Sequence, residues 1–366
     1  MSISQKKTTA KEKPAYRPRK TPMERMKELT KKRGKSGKPV WTLDMGITYS
    51  MLSRFRNCRE RFRLSAVEGW SETGLKAALE FGSAFHACLE NPNRQPCEVT
   101  REYQEARMKD KAFFRSQLQE FEMLMGMVES VVDVYRAVYK DVEKEKTYVL
   151  KEETFDENYV LTFGDDHTSG PKQPRTVRLR GRIDAAYRDK TGKLWLLETK
   201  TKSDIDVDGI NRTLSQDLQT MFYATALELK TGEPVAGVLY NVIRRPALRQ
   251  GKAENLPMFI KRVRDTVMEQ QDRYFFRPYH TLSKGELTKW QQRTLNPLLF
   301  QVCQWWDSIK NDPFEPWSSP YHVQTPFGVY DPLGSGRRGD FFELLTGGGT
   351  GGLLRRKEPF PELVDD

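Results

Sequence analysis

The hydrophobic pattern of this chain changes its period near residue 147, and this change limits the folds open to it. Before that point apolar residues recur at helical spacing, with Ser50 as the expected N-cap of the first helix and one long helix or two over residues 100–142. Three segments then favour β-strands, at residues 147–164, 175–188 and 193–200. Gly192 lies in a tight turn between the last two, and a helix at about 215–230 and an apolar strand at 235–243 follow. This order predicts an α/β fold in which helices flank a small mixed β-sheet.

The same pattern predicts one large domain over residues 41–345. It would contain a helical insertion at about 100–142, the core sheet at about 147–245 and C-terminal helices at about 254–310. Residues 346–366 form a Gly-rich linker and a short tail. This tail is either a peptide that binds a protein partner or an untethered, disordered end, and the residues leave both hypotheses open.

The formal charge of +11 is concentrated at the N-terminus. Residues 1–38 carry 14 Lys and Arg against three Glu, and the rest of the chain is neutral. We expect residues 1–40 to be a disordered basic tail, which either binds a polyanion or only aids solubility. No apolar run approaches the ~18 residues of a membrane span, and the first residues lack the apolar core of a secretory signal. We therefore expect a soluble, cytoplasmic protein without a membrane partner.

The four cysteines, Cys58, Cys88, Cys97 and Cys303, include no C-x-x-C pair. This spacing gives no support to a zinc site. In an intracellular chain we expect reduced thiols that are mostly buried.

Three residues on the predicted hairpin form a candidate active site. Asp184 ends the motif Gly181-Arg182-Ile183-Asp184, and Glu198-Thr199-Lys200 follows after thirteen residues. Glu198 and Lys200 are two apart on a strand, so their side chains point to the same face. Two converging carboxylates suit Mg²⁺ or Mn²⁺, and a neighbouring ammonium can offset charge that develops during phosphodiester hydrolysis. An ordinary solvated strand face would show the same three residue types.

Three further polar residues gain interest only from their position. Gln219 and Tyr223 are four apart on the predicted helix, so they share a face that could pack against the carboxylates. The alternative is an ordinary amphipathic helix. His86 follows Gly82 on an otherwise apolar helix, where it is either a metal ligand or a satisfied buried histidine.

Taken in order, these motifs resemble the RecB-like branch of the PD-(D/E)XK nuclease superfamily, in particular phage exonucleases and the nucleases of CRISPR adaptation. The resemblance covers about residues 45–245. The motifs are Ser50-x-Leu52-x-x-Phe55-x-x-Cys58-x-x-x-Phe62, Gly82-x-x-x-His86, Gly181-x-x-Asp184, Glu198-x-Lys200 and Gln219-x-x-x-Tyr223. The fold implied is restriction-endonuclease-like.

The resemblance also implies roles. His86, Asp184, Glu198 and the Thr199 carbonyl would bind the metal, Lys200 would be the catalytic lysine, and Gln219 with Tyr223 would support the site. Many relatives hold an iron–sulfur cluster, with one Cys in the first helix and three near the C-terminus. Here Cys58 is present, but residues 311–335 contain no cysteine. We therefore predict no iron–sulfur cluster.

The resulting hypothesis is a nuclease, preferably an exonuclease in recombination, repair or phage replication, that hydrolyses DNA with Mg²⁺ or Mn²⁺. Arg244 and Arg245 follow the apolar strand and are candidates for contacting DNA, although surface charge is an equally good explanation. Two alternatives stay open. The chain could be a non-catalytic DNA-binding accessory of recombination or replication, or a nuclease directed at RNA.

Overall fold

The computed structural model describes residues 38–72, 75–110, 115–161, 174–325, 339–346 and 352–364. The predicted basic tail up to residue 37, most of the polar loop at 165–174 and the glycine run at 347–351 lie outside the described residues. Their predicted character is therefore not addressed by the fold.

The strands are Ile47–Thr48 (β1), Trp70–Glu72 (β2), Thr147–Leu161 (β3), Arg175–Arg188 (β4), Leu194–Lys202 (β5), Val235–Arg244 (β6), Phe275–Phe276 (β7), Tyr279–Thr281 (β8) and Leu353–Arg355 (β9). Within the described part of the chain, the main sheet has the order β1-β4-β5-β6-β7, with β3 paired to β4 and β8 to β6. The pairs β1–β4 and β5–β6 are parallel, and the others are antiparallel. The sheet is therefore mixed, as predicted.

The helices are Tyr49–Asn57 (α1), Arg59–Phe62 (α2), Ala77–Glu90 (α3), Pro96–Asp110 (α4), Arg115–Lys144 (α5), Val207–Thr213 (α6), Leu218–Thr231 (α7), Leu256–Glu269 (α8), Gln271–Tyr274 (α9), Lys284–Trp290 (α10), Asn296–Ile309 (α11) and Phe342–Leu345 (α12). Short 3₁₀ or π segments occupy Leu43–Met45, Arg63–Val67, Leu214–Gln216, Gln291–Leu295, Pro316–Ser318 and Pro361–Leu363. None of the helices in the described ranges combines the length and apolarity that a membrane span requires.

The turn between β4 and β5 forms because its residues satisfy one another. The Asp189 N–H donates to the Lys193 carbonyl at 3.0 Å, and the Gly192 N–H donates to the Asp189 carbonyl at 2.9 Å. Gly192 adopts φ 82°, a conformation that favours glycine. The Asp189 carboxylate accepts the N–H of Thr191 and the indole N–H of Trp195. This closure sets the register of the two strands that carry the candidate carboxylates.

The connection from β5 to the parallel strand β6 runs through α6 and α7. Asp217 caps α7 by accepting the N–H of Thr220 at 2.8 Å. The helix ends at Thr231, because Gly232 follows in the left-handed conformation with φ 70°. The observed bounds agree with the helix predicted at 215–230.

Helices cover both faces of the sheet, so each face has its own apolar core. One core joins α1, α7 and α11 to the sheet and includes Trp41, Phe222 and Trp305. The other joins α3, α5 and α8 and includes Phe85 and Phe259. The predicted fold class, a mixed sheet flanked by helices, is confirmed.

Three local features differ from the sequence-based expectation or sharpen it. The N-cap of α1 is Thr48, which accepts the Met51 N–H, whereas the hydroxyl pattern had favoured Ser50. The region predicted as one long helix or two consists of α4 and α5. Cys58 interrupts the first helix and caps α2, and three of the four cysteines are buried.

The C-terminal segment 352–364 packs on the body of the protein, unlike the untethered end considered above. Strand β9 pairs with β2, and Leu363 is buried in the first apolar core. The Arg180 guanidinium donates to the carbonyls of Leu363 and Val364 at 2.9 and 3.0 Å. The segment therefore covers part of β4, which carries Asp184.

Candidate metal centre

Asp184 and Glu198 lie where two paired strands separate. The pairing of β4 with β5 ends at Ala185 opposite Leu197, so Asp184 and Glu198 are the next residues beyond the last pair. The backbone N–H of Thr199 donates to Asp184 Oδ2 at 2.7 Å. This bond fixes the Asp184 carboxylate against the neighbouring strand. The two strands therefore separate at the two acidic residues that the sequence predicts as site residues.

Glu198 is an unusual carboxylate because it is fully buried and only half satisfied. Its Oε1 accepts a hydrogen bond from the Lys200 ammonium at 2.5 Å. Its Oε2 has no hydrogen-bond partner among the described residues. Burial and the negative charge of Asp184 raise the pKa of Glu198 to about 8, despite the opposing effect of Lys200. A buried carboxylate oxygen without a donor is the kind of group that a cation would satisfy.

Lys200 lies on the same strand face as Glu198, as predicted, and a quarter of its side chain is exposed. Burial would lower the pKa of its ammonium, but the carboxylates of Glu198 and Asp184 outweigh burial and raise it. Lys200 therefore stays protonated at neutral pH. It is a fixed positive charge beside the carboxylates.

His86 approaches the same carboxylates from helix α3. Its Nδ1 is 3.7 Å from Asp184 Oδ1 and 3.5 Å from Glu152 Oε1. A Cβ added at Gly82 would lie 2.8 Å from Thr201 Oγ1, so glycine permits the close approach of α3 to β5. Burial disfavours the imidazolium, yet the hydrogen bond to Glu152 and the charge of Asp184 raise the pKa of His86 to about 9.

Glu152 is a site residue that the sequence did not indicate. The ligand atoms of His86, Glu152 and Asp184 all lie within 4.8 Å of one another. Glu152 lies in β3 between Lys151, which pairs with Ala185, and Glu153, which pairs with Ile183, so it stands opposite Asp184, and it adopts φ 47°. A non-glycine residue in this conformation is strained, and such strain clusters at functional sites. Nothing in the local pattern of this charged, exposed strand distinguishes Glu152 from Glu153; only the pairing of β3 with β4 does.

Gln219 and Tyr223 project from α7 towards the same region. They are hydrogen-bonded to each other, and burial with the nearby charges of Glu198 and Asp184 raises the pKa of Tyr223 well above its usual value. The Tyr223 ring packs 5.8 Å from Phe155 and close to Gly181, where a Cβ would lie 3.4 Å from it. Gly181 thus leaves room for the tyrosine beside the strand of Asp184.

Comparison of the sequence with models of known protein families gives one match. The sequence matches the family model of the PD-(D/E)XK nuclease superfamily over residues 47–321. This chain belongs to that superfamily. The match spans three quarters of the sequence and includes every predicted site residue.

Among solved structures, the crystal structure of SSO0001 is similar to this PD-(D/E)XK chain at 14% sequence identity. The similarity covers 69% of this chain and 87% of that chain, with a TM-score of 0.24. A TM-score this low carries no argument, so the family match stands alone. A direct comparison with curated proteins found no match.

Divalent metals are typical of PD-(D/E)XK nucleases, and the donors in this chain fit one. Carboxylate oxygens are the ligands that Mg²⁺ and Mn²⁺ prefer, and Asp184, Glu152 and Glu198 supply them. The partnerless Oε2 of Glu198 adds a buried acceptor beside Asp184. Among the described residues, His86, Glu152 and Asp184 form the group that could hold the ion, and Glu198 is not part of it. The roles of Glu198 and of the Thr199 carbonyl as ligands stay predictions.

The two arginines predicted to contact DNA lie at the far end of β6. Arg244 pairs with Asp204 at 3.2 Å and stands opposite Lys202 in the neighbouring strand. Arg245 donates its backbone N–H to the Lys202 carbonyl at 2.8 Å. The structure does not bring either arginine into the group of His86, Glu152 and Asp184. Their role in DNA binding stays a prediction.

Proposed function

We propose that this protein is a metal-dependent deoxyribonuclease that hydrolyses DNA phosphodiester bonds. The observation that carries the proposal is Glu198: its carboxylate is completely buried, half unsatisfied, and adjacent to Asp184 and Lys200. Burying such a group costs several kcal/mol of stability, roughly, unless a cation compensates it. Because this chain belongs to a nuclease superfamily and retains this costly carboxylate, we infer that Glu198 serves catalysis.

In this proposal Asp184 is the central ligand of Mg²⁺ or Mn²⁺. His86, Glu152, Glu198 and the Thr199 carbonyl are the further ligands. When bound, the ion polarises the phosphodiester and lowers the pKa of a water molecule. The Lys200 ammonium offsets the negative charge that develops on the phosphoryl group. Gln219 and Tyr223 support the position of Glu198. Arg244 and Arg245 bind DNA phosphates.

The order of the sequence motifs supports placement in the RecB-like branch, and with it an exonuclease acting in recombination, repair or phage replication. Four elements follow one another along the chain in the order of the motifs: helix α1, helix α3 with Gly82 and His86, the β4–β5 hairpin and helix α7. The 3.7 Å between His86 Nδ1 and Asp184 Oδ1 is compatible with both residues binding the same ion.

The experiment compares end-labelled linear DNA with covalently closed circular DNA, in Mn²⁺, in Mg²⁺ and in EDTA. We expect degradation of the linear DNA only, dependent on metal. Lys200→Met should reduce the rate by about 100-fold or more. Lys193→Met, which removes an exposed lysine immediately before the same strand, is the matched control and should retain activity.

Cleavage of the circular DNA would contradict exonuclease action, but it would still agree with a metal-dependent nuclease. Binding of DNA without cleavage in any metal would contradict the enzyme and favour a binding accessory. Full activity of Lys200→Met would contradict the assigned role of the lysine.

A further inference from the structure

A cavity of about 400 Å³ lies between helix α5 and the sheet, directly beside the candidate metal centre. Asp184, Glu152 and Thr199 form one of its walls, so the cavity and the metal centre share side chains. Its volume falls within the ~300–1,000 Å³ of clefts that hold small ligands or parts of larger ones. We call it the α5 cavity.

The walls of the α5 cavity are aromatic and apolar. Tyr135 and Tyr139 project from α5 with ring centroids 4.9 Å apart, and Tyr148 comes from β3. Leu89 and Leu197 complete the apolar lining. Flat aromatic rings beside aliphatic side chains favour a flat, largely apolar ligand that can stack.

The mouth of the α5 cavity is positively charged. Lys140, Lys144 and Lys151 line it and are exposed. Lys144 pairs with Asp141, whereas Lys140 and Lys151 have no ion pair among the residues that the structure describes. The Lys151 ammonium lies 4.0 Å from the Tyr148 ring centroid. A ligand that fits this surface combines a stacking group with negative charge.

The acidic side chains of the α5 cavity outside the metal centre are already paired. Glu143 is held by Lys146 at 2.7 Å and by Arg277 at 2.8 Å. Glu90 is paired with Arg182. They therefore do not cancel the charge of the lysines at the mouth.

A second cleft, of about 600 Å³, also borders the metal centre. His86 and Lys200 line it, and it shares Glu152, Asp184 and Thr199 with the α5 cavity. The candidate ligands thus stand at the junction of two cavities. A polymer whose phosphate rests at the junction places one neighbouring nucleotide in the α5 cavity and the remaining chain in the second cleft.

We propose that the α5 cavity receives the unpaired base of the nucleotide adjoining the scissile phosphate. This inference rests on the proposed function, and it adds the substrate class: single-stranded DNA, or an end whose terminal base is unpaired. A base stacked within a duplex must first be unpaired and unstacked to enter, which costs a few kcal/mol, roughly. The cavity therefore favours single strands and frayed ends over blunt duplex.

The test is a binding measurement that needs no cleavage. Short single-stranded oligonucleotides carry 2-aminopurine at successive positions, and the full chain is mixed with them in Ca²⁺. We expect quenching of the 2-aminopurine emission at one position, because the base stacks on a tyrosine ring. A blunt duplex with the same label at the same position should show no additional quenching.

The variant Tyr139→Ala is combined with an abasic residue at the quenched position. Each change alone should weaken binding by about 5- to 150-fold, the value of one base–aromatic stack. Together they should cost little more than either alone, because both remove the same contact. Tyr279→Ala, an exposed tyrosine on β8 that packs on Trp195, is the matched control and should behave as wild type.

A second variant, Lys151→Glu, keeps the proposal testable if Tyr139→Ala fails to fold, because Lys151 is exposed. It should weaken binding of the single strand and reduce its salt dependence. Quenching at no position, or additive effects of Tyr139→Ala and the abasic residue, would overturn the base pocket even if the protein cleaves DNA. Quenching without cleavage in any metal would sustain the pocket and overturn the proposed function.

Discussion

Replacing Glu198 by glutamine should stabilise the metal-free protein, although it should destroy activity. The pKa of Glu198 is raised from an ordinary 4.5 to about 8 by burial and by the charge of Asp184. Above pH 4.5 the unfolded chain releases this proton, whereas the folded protein retains it up to about pH 8. Stability is therefore lost as the pH rises between these values, reaching about 4 kcal/mol at pH 8. Glutamine removes this loss because it does not ionise.

Glu60 provides the matched control, since it is also a buried glutamate but is fully paired. It accepts hydrogen bonds from Arg63 Nε at 2.6 Å and Nη2 at 2.8 Å, and contacts His322 Nε2 at 3.0 Å. Burial would raise the pKa of Glu60, but the charge of Arg63 outweighs it and lowers the pKa to about 2. Glu60→Gln leaves the buried Arg63 short of a counter-charge, so it should destabilise the fold by about 3 kcal/mol or more.

The assay is urea unfolding at pH 8 in EDTA, repeated in Mn²⁺. In EDTA, Glu198→Gln should unfold at a higher urea concentration than wild type, and Glu60→Gln at a lower one. Mn²⁺ should stabilise wild type according to its concentration and affinity, and should stabilise Glu198→Gln much less. If Glu198→Gln is as destabilised in EDTA as Glu60→Gln, then Glu198 is an ordinary structural carboxylate and not one strained by an absent cation.

Two glycine substitutions test how the site is assembled. Gly82→Ala places a Cβ 2.8 Å from Thr201 Oγ1 and should displace the helix that carries His86. Calorimetric titration should then show an affinity for Mn²⁺ reduced about tenfold, and an unchanged affinity would contradict this. Gly181→Ala places a Cβ 2.9 Å from the Phe155 ring, so it should lower the free energy of unfolding in urea by about 1–3 kcal/mol. Wild-type stability would show that β4 can accept a methyl group next to Phe155 and Tyr223.

The parts of the fold that were predictable from sequence are those fixed by local chemistry. The β4–β5 hairpin follows from alternating strands around Gly192, and the end of α7 follows from Gly232, which adopts φ 70°. The pairing of Glu198 and Lys200 on one face follows from the period of a strand. In each case neighbouring residues decide the conformation.

The parts that were not predictable depend on contacts between distant segments. Thr48 caps α1 instead of Ser50 because residue 48 also pairs with Arg180 of β4, which fixes where the strand ends and the helix begins. Glu152 reaches the metal centre only through the pairing of β3 with β4 and its strained φ.

The C-terminal segment shows the same limit. It packs on the body because Arg180 donates hydrogen bonds to its carbonyls and Leu363 is buried in the first apolar core. A short sequence after a glycine run gives no local sign of either contact, so the sequence left open only a partner-binding peptide and a loose end.

The proposed function requires Asp184 and its neighbours to hold one catalytic divalent ion. A crystal grown with Mn²⁺, with diffraction recorded at the manganese absorption edge, would locate that ion. We expect an anomalous peak within about 2.0–2.6 Å of the Asp184 carboxylate, with oxygen ligands from Glu152 or Glu198. An anomalous peak away from Asp184, in a protein that cleaves DNA in Mn²⁺, would mean that Asp184 does not hold the catalytic ion.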